Sequence, residues 1–334
     1  MNPILTLDNL VTRFRTDDGI VTALDGVSLT IEKGRTLGLV GESGSGKSVT
    51  SLSIMGLLPQ DVGFVANGKI LFEGRDLASL SSEDMMKLRG YKLAMIFQEP
   101  MTALNPVLTA GEQVMEVFQV HKGQSPSEAR KKTLELFKKV KIPDPERRID
   151  EYPHQMSGGM KQRVMIAMAL ACEPALVIAD EPTTALDVTI QAQILSLLKD
   201  LQADLGTSIL FITHDLSVIA EMADTVAVMY AGRIVERADV FELFENPQHP
   251  YTQGLMGTLQ AEKIDKSTPL KTIPGVVPSL NALPKGCRFQ DRCVLCEPLC
   301  RKESPQLAAL NNSEHLVACF VAQRDHKTKG QKAP

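Results

Sequence analysis

A chain of 334 residues has room for one large domain and a smaller one, or for two domains. With 43% hydrophobic and 23% charged residues it has an ordinary globular composition, and a net charge of −4 leaves no basic excess, so nucleic acid is not expected among its partners. The longest apolar run, 164–172, is far shorter than the roughly 18–20 residues that cross a bilayer, and Met1-Asn2-Pro3-Ile4-Leu5 lacks the basic start and apolar stretch of a signal peptide. The expectation is a soluble, cytoplasmic chain that meets a membrane only through a partner.

Residues 3–40 read as short strands with turns. Ile4-Leu5-Thr6-Leu7 and Val27-Ser28-Leu29-Thr30-Ile31 are strand-like, and Asp17-Asp18-Gly19 marks a hairpin turn. Thr36-Leu37-Gly38-Leu39-Val40 is an apolar strand that runs into a glycine-rich loop. Residues 107–165 become mainly helical. There Ser125-Pro126-Ser127-Glu128 is a capping box with proline at the first helical position, and Ala129, Thr133, Leu136 and Val140 fall on one face. Residues 175–235 alternate strand and helix: apolar strands at 175–179, 208–213 and 225–229, and an amphipathic helix marked by Ile190, Ile194, Leu197 and Leu201. That alternation predicts a parallel sheet with helices on its faces. After about residue 237 the periodicity weakens and prolines become frequent, which predicts a second domain or extended tail. Disorder is expected from Arg324 to Pro334.

Three motifs carry chemistry. Gly41-Glu42-Ser43-Gly44-Ser45-Gly46-Lys47-Ser48 fits the phosphate-binding loop G-x-x-x-x-G-K-[ST]. Its glycines let backbone N–H groups curl around phosphate oxygens, Lys47 neutralises the β- and γ-phosphates, the Ser48 hydroxyl ligates Mg²⁺, and the helix that follows offers its positive end. Leu176-Val177-Ile178-Ala179-Asp180-Glu181 is a buried strand ending in two carboxylates. Asp180 is placed to hold the metal, mainly through water, and Glu181 to act as general base on the attacking water. Between them, Met156-Ser157-Gly158-Gly159-Met160-Lys161-Gln162-Arg163 opens a long helix. Ser157, Gly158 and Gly159 there form either a second anion nest, for the γ-phosphate of a nucleotide bound elsewhere, or an ordinary glycine turn capping a helix.

In order and spacing these motifs resemble the nucleotide-binding domain of ABC transporters, over residues 3–235. The resemblance implies an α/β fold: a RecA-like parallel sheet core, an antiparallel β subdomain and a helical subdomain at about 99–164. The cassette would span 1–236, and a small cysteine-containing C-terminal domain 237–334. It also implies roles for further residues. Gln98 looks like the glutamine that touches Mg²⁺ or the attacking water near the membrane partner. Thr184-Ala185-Leu186-Asp187 looks like the loop that crosses the dimer interface, and His214 like the histidine that contacts the γ-phosphate. Phe14 is the candidate aromatic stacked on adenine, with a core role as its alternative. Met160 stands where many members have glutamine. The implied cycle places ATP between the phosphate loop of one subunit and the Ser157 nest of another. Closure excludes bulk water, and hydrolysis of ATP opens the dimer.

The tail narrows the resemblance. Pro247-Gln248-His249-Pro250-Tyr251-Thr252, Pro274-Gly275-Val276-Val277-Pro278 and Leu283-Pro284-Lys285-Gly286-Cys287-Arg288-Phe289 are similar to the C-terminal extension of dipeptide/oligopeptide (and nickel) permease ATP-binding subunits. That branch implies import of short peptides by two ATP-binding subunits, a heterodimer or else a homodimer, at the cytoplasmic face of the inner membrane. Two transmembrane permease subunits and, indirectly, a substrate-binding protein complete it. Nickel, an antimicrobial peptide or a sugar oligomer are alternative cargoes, and a non-transport ABC ATPase is the alternative class. Cys287, Cys293, Cys300 and Cys319 match positions that hold a [4Fe–4S] cluster in some relatives. Zn²⁺ or no metal are the alternatives, and Cys296 adds a zinc-like C-x-x-C with Cys293. His249 is read as structural, Cys172 as a core residue, and His121, His315 and His326 as surface residues.

Overall fold

The computed structural model describes residues 3–184, 186–261, 273–310 and 313–330. Its strands in chain order are β1 (Pro3–Thr16), β2 (Gly19–Glu32), β3 (Thr36–Val40), β4 (Gly63–Phe72), β5 (Arg75–Asp76), β6 (Leu93–Ile96), β7 (Leu176–Asp180), β8 (Ser208–Thr213), β9 (Thr225–Tyr230), β10 (Arg233–Asp239), β11 (Ala308–Ala309) and β12 (Leu316–Val317). They are shared between two compact units. One comprises Met1–Ile4, Ile31–Arg35 and Ser79–Ile212, and the other Leu5–Thr30, Thr36–Ala78 and Thr213–Pro334.

The first unit is built on β6, β7 and β8, which pair in parallel with Ile96 opposite Ala179 and Asp180 opposite Ile212. Every residue of β6, β7 and β8 is buried. That explains why the sequence shows unbroken apolar runs here instead of alternation. Helices Ala110–Lys122, Pro126–Lys139 and Gly158–Leu170 occupy the region expected to be helical. Two capping boxes start the first two of them: Thr109 with Glu112, and the expected Ser125 with Glu128. The buried face of Pro126–Lys139 is Ala129, Thr133 and Phe137, continued by Val140 beyond its end. Leu136, expected on that face, is only half-buried. Two four-residue steps from Ala129 lead to Phe137, and the bulkier ring takes the core position. Helix Val188–Leu205 starts at Asp187, whose carboxylate accepts the Ile190 N–H at 2.9 Å.

The second unit contains an antiparallel sheet in the order β2-β1-β4-β5, with the β1–β2 turn at Asp17 and Asp18, while Gly19, expected in that turn, already opens β2. It also contains β3 parallel to β9, with Val40 opposite Val228, and β9 antiparallel to β10. Residues after 237 are more ordered than the weakening periodicity predicts. Helices Val240–Glu245 and Pro250–Ala261 follow β10, and β12 pairs antiparallel with β10 through Glu236 opposite Val317. Disorder expected from Arg324 is overturned as far as Gly330, which closes a helix beginning at Phe320, while 331–334 lie outside the described residues.

Candidate active site

In the second unit β3 delivers the chain into the loop 41–48, and helix Lys47–Met55 leaves it. A side chain at position 41 would put its Cβ 2.2 Å from the Met229 carbonyl oxygen, so only glycine permits this approach. Lys47 is buried and folds back over the loop, its Nζ donating to the carbonyl oxygens of Gly41 at 2.7 Å and Glu42 at 3.1 Å. The buried Ser45 Oγ has no hydrogen-bond partner among the described residues. Ser43, Gly44 and Ser48 are exposed and Gly46 half-buried, so the outer rim of the loop faces solvent. An orphaned buried hydroxyl and a lysine bent over a glycine-rich turn fit an anion with several oxygens.

In the first unit β7 ends at Asp180, which is 4% exposed. The next residue, Glu181, has a left-handed backbone (φ 46°), and its N–H donates to the Ile212 carbonyl at 2.8 Å. A non-glycine residue in that conformation carries local strain, of the kind concentrated at working sites. One oxygen of the Glu181 carboxylate, Oε2, accepts from both Gln98 Nε2 at 3.2 Å and Thr184 Oγ1 at 2.9 Å. Two of the residues named by the resemblance, Gln98 and Glu181, are thus brought together across 83 positions of sequence.

Ser157 caps the helix Gly158–Leu170, its Oγ accepting the Met160 N–H at 3.3 Å. Ser157 and Gly158 are exposed at this helix start, whereas a Cβ at Gly159 would lie 2.9 Å from Ile190 Cγ2. Gly159 is therefore set by packing against helix Val188–Leu205, and Ser157 and Gly158 remain open to a ligand. Asp187 is exposed and spends its carboxylate on the helix cap; Ala185 lies outside the described residues. His214 is exposed directly after β8. Phe14 is half-buried in β1 opposite Gly63, where a Cβ would lie 2.9 Å from its ring.

In the tail, His249 is buried and its Nδ1 accepts the Tyr251 N–H at 3.0 Å. Burial lowers its pKa to about 4, so the ring is neutral and structural, as expected. His315 is not the surface residue its sequence context predicts. It is buried, with Nε2 at 2.7 Å from Glu236 and Nδ1 at 3.4 Å from Glu242. Those partners stand 79 and 73 positions away, beyond the reach of any local pattern. Cys172 is buried as expected.

The tail cysteines Cys287, Cys293, Cys296, Cys300 and Cys319 are free thiols. Burial, reinforced by the neighbouring thiol groups, pushes Cys287 up to about 12 and Cys293 up to about 11. Both are neutral thiols at ordinary pH in this arrangement. Among the described residues no group of three or more His, Cys, Asp or Glu is placed to hold a metal ion. The [4Fe–4S] or Zn²⁺ site expected at Cys287, Cys293, Cys300 and Cys319 is therefore not supported by this arrangement.

The tail also contributes residues that sequence reasoning did not single out. Tyr251 Oη accepts the Glu42 N–H at 2.8 Å, and Arg292 Nη1 donates to the Glu42 carboxylate at 3.0 Å. No sequence pattern announces contacts that span 209 and 250 positions.

A lysine-closed phosphate loop and an acid-ended strand with a tethered carboxylate define a P-loop nucleotide-binding protein. Comparison with known proteins carries the assignment further. Residues 24–184 match the ABC transporter family, and residues 235–300 match the oligopeptide/dipeptide transporter C-terminal region. The chain is 51% identical over 317 residues to a probable peptide ABC transporter ATP-binding protein of Sinorhizobium fredii, covering 95% of this chain and 94% of that one. It is 50% identical over 327 residues to the oligopeptide transport ATP-binding protein AppD of Bacillus subtilis, covering 97% and 98%. Among solved structures it is similar to the dimeric ATP-binding cassette MJ0796 in a post-hydrolysis state bound to ADP and Pi. The TM-score is 0.64 at 30% identity, over 71% of this chain and 98% of that one. The chain belongs to the ATP-binding subunits of ABC transporters, in the branch that carries the oligopeptide/dipeptide transporter C-terminal region. No described helix is long and apolar enough to cross a membrane.

Proposed function

We propose that this chain binds and hydrolyses ATP to power the import of dipeptides or oligopeptides through membrane permease subunits. The observation that carries the chemistry is the Glu181 carboxylate, held by Gln98 and Thr184 just beyond an acid-ended strand. Family membership and the peptide-transporter names of its relatives support the cargo.

In this reading Glu181 takes a proton from the attacking water as its oxygen forms a bond to the γ-phosphorus. The bond between that phosphorus and the β–γ bridging oxygen breaks, and ADP leaves with the bonding pair. Gln98 orients Glu181 and the water. Lys47 and the backbone of residues 41–48 hold the β- and γ-phosphates, His214 contacts the γ-phosphate, and Phe14 stacks on adenine. Ser48, Gln98 and Asp180 would hold Mg²⁺, which when bound neutralises charge on the phosphate oxygens. Ser157, Gly158 and Gly159 of one ATP-binding subunit reach the γ-phosphate held by the other, with Asp187 at the subunit boundary.

The partners in this proposal are a second, different ATP-binding subunit, two transmembrane permease subunits and, indirectly, a substrate-binding protein. The assembly sits peripherally at the cytoplasmic face of the inner membrane. No step is assigned to the tail cysteines; iron, sulfide and zinc assays on protein purified without oxygen decide whether they take up a [4Fe–4S] cluster or Zn²⁺.

The test is Glu181→Gln, which keeps size and loses basicity. Hydrolysis is expected to fall by about 100-fold or more, with ATP binding retained and, with the second ATP-binding subunit added, an ATP-stabilised dimer of the two on size-exclusion chromatography. Parent-like turnover in this variant contradicts the general-base role.

A further inference from the structure

We propose that Tyr251 and Arg292, in the C-terminal region, are positioning residues for the phosphate loop and tune nucleotide affinity through Glu42. The proposal rests on reading residues 41–48 as the nucleotide-phosphate site. Glu42 occupies a position that the loop motif leaves open, so phosphate binding alone demands nothing of its side chain. Yet both its backbone and its side chain are engaged by the tail.

Its N–H is committed to Tyr251 Oη at 2.8 Å and so is turned away from any anion in the loop. Its carboxylate accepts from Arg292 Nη1 at 3.0 Å, with the arginine side chain 6% exposed. Arg292 is itself fixed. Its Nε donates to the Pro274 carbonyl at 2.8 Å, and its guanidinium lies 5.7 Å from the Tyr230 ring centre and 5.9 Å from that of Phe289. Tyr251 stands in the same aromatic group, 4.7 Å from Tyr230 and 5.4 Å from Phe289 between ring centres. A partly buried charge-assisted hydrogen bond to a preset donor constrains its acceptor more than a fully exposed pair does. The constraint passes directly to the phosphate lysine, because the Glu42 carbonyl accepts from Lys47 Nζ at 3.1 Å.

The far side of the loop is tied in the same way. The Ser45 carbonyl accepts the Gly232 N–H at 2.7 Å, and the adjacent Ala231 carbonyl accepts from Arg288 of the tail. Arg288 also pairs with Asp25, which Arg233 holds at 2.7 Å. The tail thus contacts the loop directly at Glu42, through Tyr251 and Arg292, and reaches Ser45 indirectly, through the Ala231–Gly232 turn that Arg288 bonds.

The experiment measures Mg²⁺-ATP affinity by equilibrium titration with a fluorescent ATP analogue. It uses the full chain and its variants Arg292→Gln, Glu42→Gln, the double variant, Arg292→Lys and Lys47→Ala, each with a melting curve without nucleotide. Arg292→Gln and Glu42→Gln are each expected to weaken binding by about tenfold. The double variant should be no weaker than the weaker single, because both remove one interaction. Arg292→Lys should recover to within about threefold of the parent. In hydrolysis assays the single variants should raise KM more than they lower kcat. Parent-like affinity in Glu42→Gln overturns the proposal, as do losses that multiply in the double variant. If Arg292→Gln does not fold, Tyr251→Phe takes its place: it removes the acceptor of the Glu42 N–H, and about threefold weaker binding is expected, parent-like binding being contrary. Lys47→Ala separates the two levels. Undiminished binding there contradicts the phosphate-loop reading itself, whereas lost binding there with parent-like Glu42→Gln contradicts only the role of the tail.

Discussion

Glu181 and His315 show how differently two single residues disclose their roles. An apolar strand ending in Asp-Glu behind a phosphate loop marks Glu181 as a candidate base from sequence alone. Its left-handed backbone and its bonds to Gln98 and Thr184 appear only in the fold. His315 has no local signature, since Glu236 and Glu242 reach it from distant sequence. Burial opposes its charged form, but the two carboxylates outweigh that and raise its pKa. A raised folded-state pKa means that the stabilisation is complete below the unfolded value of about 6.5 and is lost as pH rises through the higher folded value. His315→Gln should therefore cost about 1–3 kcal/mol near pH 6, by leaving Glu236 short of a partner, and progressively less above pH 7. Chemical denaturation of parent and variant across that range checks the sign; a cost that grows with pH contradicts it. His249 has the opposite dependence. Burial lowers it to about 4, so its contribution is present above about pH 6.5 and lost as pH falls toward 4.

At the scale of elements, legibility follows the reach of the pattern. The helix Pro126–Lys139 is announced by Ser125 and Glu128, three residues apart, and both halves of its capping box form. Its interior is less legible, because Leu136 and Phe137 are adjacent apolar residues and only packing decides between them. Phe137 is fully buried, and Phe137→Ala should destabilise the chain by about 3–5 kcal/mol in urea unfolding, whereas Leu136→Ala should cost clearly less. Equal costs would return the core position to Leu136. The strands β6 to β8 are legible because buried parallel strands need continuous apolar sequence. β4 is not. Its sequence Gly-Phe-Val-Ala-Asn-Gly-Lys-Ile-Leu-Phe includes Asn67 and Gly68, residues poor in strand propensity, and its pairing with β1 shifts register between Asp8 and Val11. The tail strands β11 and β12 have two residues each, too short for any periodicity to show.

At the scale of the molecule, the motifs identify the ATP-binding cassette and the tail identifies the branch, and the proposed peptide cargo rests on that branch alone. The subunit is proposed to act on permease subunits, not on the transported molecule, so selection for cargo falls on other chains. What the tail does show is hydrogen bonding with Glu42 of the phosphate loop, through Tyr251 and Arg292. The most direct test of the central claim is ATP hydrolysis by the assembled transporter in lipid nanodiscs, with its permease subunits, second ATP-binding subunit and substrate-binding protein. The account predicts that a mixture of di- and oligopeptides stimulates hydrolysis, that nickel and sugar oligomers do not, and that Glu181→Gln in this chain sharply reduces the stimulated rate. Stimulation by nickel or sugar oligomers but not peptides, or a stimulated rate untouched by Glu181→Gln, would contradict it.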